Sequence, residues 1–376
     1  MTDKHKRVFG LDVFRATAII LVLMSHTISL IGTKVIMDIF YVVGVIGVEL
    51  FFVLSGFLIG IILIKLYHTA PVISFESIKV FWIRRWFRTL PNYYLMLIVY
   101  IFMFSYLNHK NILTKFDTLL YFGFLQNFFS EIKESFFGVS WSLSIEEWFY
   151  IFFPALLFGS QRFFKNKQKA IFTLIIIFIA FPFLTRTYFE FFGRNIGWDT
   201  GYRKIVPLRL DGIAMGVLAA YFKYYYDQQF NKYKNLFFSI GLVFLLLLIV
   251  FFYYATCVHS TVSMNIIKAT VFFTLFSLSI ALLIPFIYKL NDSNLNKIFL
   301  LIIRNISIIS YSMYLLHPII IIFVLHFFII YNVICKILLM WILTLISGYI
   351  QYCFFEQKIT RLREFYSKSS TNIIIN

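Results

Sequence analysis

Charge is the first scarcity in this sequence. Of 376 residues, 14% are charged and 61% are hydrophobic, against about 25% and about 45–50% in an average soluble domain. So few charges cannot cover the surface of a soluble enzyme. The apolar excess equally excludes a disordered chain. Acid is scarcer still: 17 Asp and Glu stand against 34 Lys and Arg, a formal charge of +17. In a soluble protein that surplus would suggest nucleic acid. In so apolar a chain it marks cytoplasmic loops instead, and no nucleic-acid partner is expected. Cysteine is limited to Cys257, Cys335 and Cys353, with no CxxC pair, which argues against a zinc site or a disulfide frame. No metal and no permanently bound cofactor are expected. There is no linker rich in Gly, Ser or Pro, no visible internal repeat and no soluble domain at either end. Residues 1–376 therefore read as a single membrane domain.

What is present is a series of long apolar runs. A membrane-spanning helix needs about 20 mostly apolar residues. By that measure about ten spans are expected, over 11–31, 41–64, 90–107, 146–159, 170–188, 207–226, 236–255, 268–288, 306–330 and 333–355. Residues 114–129 suit a re-entrant or interfacial segment. Lys4, Lys6 and Arg7 before an apolar run imitate a secretion signal, but Arg15 interrupts the run and no clean cleavage site follows His26. A retained first helix is the better reading. With both termini cytoplasmic, the inner loops carry about twice as many Lys and Arg as the outer ones, as the positive-inside rule requires. The expected fold is thus an all-α polytopic membrane protein.

Against that background the polar residues within spans stand out, because ionisable groups there are costly and usually functional. Arg15 and His26 share the first span. Eleven residues at about 100° each place them within about 20° of one face and about 16 Å apart along the axis. The second span carries Glu49 in its outer half, where a carboxylate needs a partner, among glycines that permit close helix contact. Arg84, Arg85 and Arg88 follow on the cytoplasmic side. They suit paired hydrogen bonds to phosphates and equally suit ordinary inside charge or lipid headgroups. Glu146 and Glu147 enter the fourth span from outside, where they also complement a helix dipole. Arg209 and Asp211 enter the sixth. Tyr311, Tyr314 and His317 lie in the ninth, and a lone His before Pro is more often structural than catalytic. By depth, His26, Glu49, Glu146, Arg209, Asp211 and His317 fall in the middle or outer membrane, and Arg15, Arg85 and Arg88 near its inner face. Such a layout fits an enzyme joining a cytoplasmic anion to a deeper reaction centre, and also a transporter or flippase for a lipid-linked glycan.

Six stretches carry a resemblance that separates these readings: GLDVFRATAIILVLMSH, GVELFFVLSGFLIG, WIRRWFRTLPNYY, WSLSIEEWFYIFFP, RLDGIAMGVLAA and SYSMYLLHP, in that order from residue 10 to residue 318. The chain resembles the membrane acyltransferase 3 family, which includes bacterial surface-polysaccharide O-acetyltransferases. The resemblance implies transfer of an acetyl group from cytoplasmic acetyl-CoA to a glycan or lipid-linked glycan such as O-antigen or capsule, within the bacterial plasma membrane and among its lipids. It implies that His26 is catalytic, with Glu146 beside it in function, and that Arg85 and Arg88, with Arg15 deeper on the same route, bind acyl-CoA. Ser55, Gly56 and Phe57 match the family's SGF motif. Glu49 stands where the family commonly has an acid, and His317 is a looser match. Glu49, Arg209, Asp211 and His317 are expected on the acceptor's path. Larger relatives add a soluble hydrolase-like domain; without it, transfer is expected to finish within the membrane domain.

Overall fold

The computed structural model describes residues 7–69, 75–108, 116–132, 136–193, 196–292 and 295–368. Lys4 and Lys6, which imitated a secretion signal, lie outside them. Among the described residues every regular element is helical: α1 (Phe9–Ile28), α2 (Lys34–Thr69), α3 (Phe75–Asn108), the short α4 (Phe116–Leu120), α5 (Ser140–Gly159), α6 (Lys167–Phe192), α7 (Leu210–Tyr225), α8 (Asp227–Lys232), α9 (Lys234–Tyr253), α10 (Val262–Ala269), α11 (Phe272–Tyr288), α12 (Lys297–Phe327), α13 (Val333–Gln351) and α14 (Gln357–Lys368). The all-helical expectation holds.

The span count differs from the expected ten. Among the described residues seven helices are long and apolar enough to cross a membrane, or eight when α10 and α11, bent by 55° to each other, form one span. The other two expected spans, 146–159 and 207–226, are helical as α5 and α7 but fall below that mark. The reason lies in their position. Of the 16 residues of α7, Leu210–Val217 are all buried, so protein rather than lipid surrounds that length. Most of α5 is buried too, and it carries Glu146 and Glu147. A helix enclosed by others need satisfy neither the length nor the uniform apolarity that lipid demands. Within the interfacial stretch expected over 114–129, α4 and the 3-10 turn Tyr121–Gly123 are too short to cross.

Close packing sets the frame of the site. Helices α1 and α2 run antiparallel: Gly47 lies against Ala18 and Val22, and Gly44 against Ser25. Helices α2 and α7 touch backbone to backbone, since a Cβ on Gly56 would overlap the Ile213 carbonyl and one on Gly216 would overlap that of Val53. Three consecutive residues of α2 thereby take three tasks, because each is turned about 100° from the last. Ser55 faces a cavity, Gly56 admits α7, and the fully buried Phe57 sets its ring edge-on to Tyr288 at 5.7 Å. Helix α12 runs parallel to α1, with Ser307 bonded to Asp12 and His317 to His26. Helices α9 and α13 bury few residues and form the periphery.

Candidate active site

A cavity of about 800 Å³ opens among α1, α2, α3, α5 and α12, within the range of pockets that hold small molecules and cofactors. It starts where α2 ends and α3 begins, at Lys65, Thr69 and Ser77, and reaches inward to Ser142 and Tyr314. Five cations line it (Arg15, Lys65, Arg84, Arg85 and Arg88), and Glu146 is the one carboxylate among the lining residues. The α2 wall between them is largely apolar, with Val48, Phe51, Phe52, Leu58 and Ile62. One end of the cavity is thus cationic and the rest of its α2 wall is apolar.

The Arg85 guanidinium is held in place rather than free to swing. It donates to the Tyr150 hydroxyl at 2.6 Å and to Glu146 at 3.4 Å, and it stacks over the Tyr150 ring at 4.3 Å. Glu146 also accepts from Ser55 at 2.9 Å and from Tyr150 at 3.0 Å. The one-turn spacing of Glu146 and Tyr150 on α5 places both against the same arginine. Behind them Thr89 donates to Glu147 at 2.9 Å, and the Tyr311 hydroxyl donates to the Thr89 carbonyl at 2.9 Å. The Arg85 Nε and one Glu147 oxygen are buried without a hydrogen-bond partner.

His26 does not line this cavity. Its ring meets that of His317 edge to edge, with centroids 4.9 Å apart and planes within 14°, and its Nδ1 lies 2.7 Å from His317 Nε2. His317 is fully buried, whereas His26 is exposed. The boundary between cavity and histidines is Tyr314, one turn before His317 and 5.8 Å from its ring. Its hydroxyl is bonded to Ser142 at 2.6 Å and to the Val139 carbonyl at 3.2 Å, and Phe51 meets its ring edge-on. Past that boundary the cations acting on His26 are Arg203 and Lys204. Both are anchored by Asp199, at 2.6 and 2.5 Å. Burial alone would raise the Asp199 carboxyl, but these two cations outweigh it and hold the group down at about 2.

Glu49, Arg209 and Asp211 form a third and separate cluster. Arg209 pairs with Glu49, and Arg186 pairs with Asp211 at 2.8 Å. Ser277 donates to Glu49 at 3.0 Å, and Thr274 to Asp211 at 2.7 Å. The four charged side chains are 0–1% exposed. Two cations face two carboxylates, so the cluster is neutral, although the Arg209 Nε is buried without a hydrogen-bond partner, 3.9 Å from the nearer Asp211 oxygen. It ties α2, α6, α7 and α11 together.

The structure therefore gathers Arg15, Arg85, Arg88 and Glu146 around one cavity, sets His26 and His317 together just beyond it, and places Glu49, Arg209 and Asp211 in a closed network. Sequence reasoning missed three participants. Arg186 reads as a loop charge at the end of an apolar run, yet it is fully buried. Lys65 reads as an ordinary inside charge. Tyr150 is one aromatic among 24 tyrosines; only its spacing of four from Glu146 points to it. Among the described residues no cluster of three or more His, Cys, Asp and Glu is placed to hold a metal.

The structure is thus a multi-pass helical bundle with a cation-lined cavity, bounded by Tyr314 beside a histidine pair. The family described as an acyltransferase domain matches residues 8–353, and the chain belongs to that family, acyltransferase 3. A Staphylococcus aureus (strain COL) protein provisionally named an O-acetyltransferase is 33% identical over 176 residues, 44% of this chain and 27% of that one. The peptidoglycan O-acetyltransferase OatA of Listeria monocytogenes (strain EGD-e) is 33% identical over 176 residues, 44% of this chain and 26% of its own. YrhL of Bacillus subtilis (strain 168), provisionally named a peptidoglycan O-acetyltransferase, is 32% identical over 189 residues, 47% and 28% respectively. The matched stretch spans about a quarter of the length of these relatives. No solved structure matches the chain.

Proposed function

We propose that this protein is a plasma-membrane O-acetyltransferase that moves an acetyl group from cytoplasmic acetyl-CoA to a hydroxyl of a bacterial cell-surface glycan. The observation that carries this reading is the cavity itself. Its cations gather at the α2–α3 end, and its apolar wall leads to Tyr314, one turn from His317 and thus beside His26. The phosphates of CoA are held by Arg88, Arg84 and Lys65 at the mouth, with Arg85 and Arg15 further in. Charge-assisted bonds suit that task. The pantetheine arm lies along α2 and presents the thioester at Tyr314. Glu146 and Tyr150 keep Arg85 aimed into the cavity.

His26 is the general base. It takes the proton from the acceptor hydroxyl as the oxygen attacks the thioester carbon. The C–O bond forms, the C–S bond breaks, and the proton passes to the departing thiolate of CoA. A neutral imidazole suits this exchange because one ring nitrogen offers a lone pair that can take up the proton and pass it on. Tyr314 stands between the two halves in the present state, so it must move, or the thioester must pass it, for the chemistry to occur. The acetyl group crosses most of the membrane while CoA stays on its own side.

The acceptor is a cell-envelope polysaccharide. Two relatives carry peptidoglycan in their names, which favours that glycan over the O-antigen or capsule suggested by the wider family. The test is transfer of labelled acetyl from acetyl-CoA to glycan by the purified protein in nanodiscs. Wild type should acetylate and His26→Ala, inserted and folded, should not. Full transfer by His26→Ala would reject the assignment. Comparing the O-acetyl content of peptidoglycan, capsule and O-antigen from wild-type and deletion strains identifies the acceptor.

A further inference from the structure

We propose that His317 is a positioning residue that fixes the tautomer of His26, so that His26 carries its proton on Nδ1 and presents Nε2 as the base. The proposal rests on His26 being the base; the tautomer itself is independent of that reading. The argument is a count of protons along a chain of hydrogen bonds. His317 Nδ1 lies 3.2 Å from the Met313 carbonyl oxygen. A carbonyl oxygen can only accept, so His317 Nδ1 carries a hydrogen. In a neutral imidazole the other nitrogen is then an acceptor. His317 Nε2 therefore offers a lone pair to the atom it faces, His26 Nδ1, at 2.7 Å. His26 Nδ1 must donate, and its own lone pair is left on Nε2.

The rest of the site supports this assignment. Among the described residues no carboxylate is bonded to either ring, and the charges acting on His26 are the cations Arg203 and Lys204. No nearby acid therefore performs the orienting task that a carboxylate performs in a Ser-His-Asp triad, and the second histidine takes it over through a backbone carbonyl. His317 is held in turn. It is fully buried, parallel to the His26 ring, and fixed on α12 just before Pro318. Pro318 has no amide hydrogen to give to the preceding turn, so the helix ladder is interrupted beside His317. His26 is exposed while His317 is buried, so the free nitrogen belongs to the ring an acceptor can reach.

The test is nitrogen NMR of histidine-labelled protein in nanodiscs, with His26 assigned by its loss in His26→Gln. Wild type should show His26 protonated at Nδ1 and unprotonated at Nε2. In His317→Phe, which keeps a ring but removes the acceptor, the Nε2-protonated form should appear. Its kcat should fall at least about tenfold, as when an outer-shell partner of a histidine is lost, with unchanged acetyl-CoA affinity. His317→Gln, whose amide oxygen can still accept from Nδ1, should recover part of that loss. A wild-type His26 protonated at Nε2 would overturn the proposal, as would an unaltered tautomer in His317→Phe. If His317→Phe fails to fold, the wild-type spectrum alone decides. A His26→Ala enzyme that still turns over would reject the base assignment and leave the tautomer assignment standing.

Discussion

Replacing Glu49 by Gln tests whether the buried cluster holds the bundle together or holds substrate. The change keeps the shape of the side chain and removes one charge. Arg186 and Arg209 then face Asp211 alone, in a site where all four side chains are 0–1% exposed. The cost follows from that burial. An uncompensated buried charge left by one lost partner destabilises by about 3–5 kcal/mol, whereas replacing both partners by apolar groups of similar volume is often close to neutral. Glu49→Gln should therefore lower the thermal midpoint by several degrees in detergent, read by fluorescence-detected gel filtration. Glu49→Met combined with Arg209→Met should be more stable than either single change. Met at 209 also packs on Phe273, over which the guanidinium now sits at 3.8 Å. The expected non-additivity is about 3 kcal/mol, the upper end for directly coupled residues. A Glu49→Gln protein as stable as wild type, with activity lost only through a higher KM for the glycan, would refute the structural role. It would place Glu49 on the acceptor's path.

Three further outcomes follow from the same geometry. Gly56→Ala should destabilise by at least about 1–3 kcal/mol, because its methyl meets the backbone of α7 rather than a movable side chain; a wild-type melting curve would deny that contact. Arg88→Ala should weaken acetyl-CoA binding in calorimetry by about 1.5–3 kcal/mol, the worth of a charged hydrogen bond, and unchanged binding in both Arg85→Ala and Arg88→Ala would reject the donor site. Asp199 should anchor its loop down to low pH: a depressed carboxyl stabilises above its unfolded value of about 3.9, and that contribution disappears as pH falls through the folded value of about 2. Trp198 fluorescence should report this acid transition, and Asp199→Asn should abolish it; an identical titration in the variant would contradict the anchor.

Much of this architecture was legible in the sequence because lipid imposes simple rules. Apolar length located the long helices, and the spacing of Arg15 from His26 placed one near the cavity and the other beyond it on a single helix. Where protein replaces lipid as the surroundings, those rules lapse. Helix α7 is short and enclosed, and α5 carries two glutamates, so both satisfy helix geometry without satisfying span criteria. The partnerships were not legible either. Glu49 called for a partner, but Arg209 lies 160 residues away. Arg186 looked like a loop cation until its bonds to Asp211 and to the Thr270 and Leu208 carbonyls appeared. His26 and His317 share a membrane depth in the sequence, but they are separated by 291 residues, and their direct ring-to-ring bond follows only from α12 running parallel to α1. Chain distance carries no pairing information without the fold.

The central claim is that donor and acceptor meet from opposite sides of the membrane, with the acetyl group passing Tyr314 while CoA remains at the arginines. Sealed proteoliposomes of uniform protein orientation test it directly. Acetyl-labelled acetyl-CoA is supplied at the face bearing Lys65 and Arg84, and acceptor glycan only at the face bearing Arg203 and Lys204. Label should accumulate on the glycan, free CoA should accumulate on the donor side, and His26→Ala should show no transfer. Label transferred only when donor and acceptor share one side, or CoA recovered on the glycan side, would contradict the account.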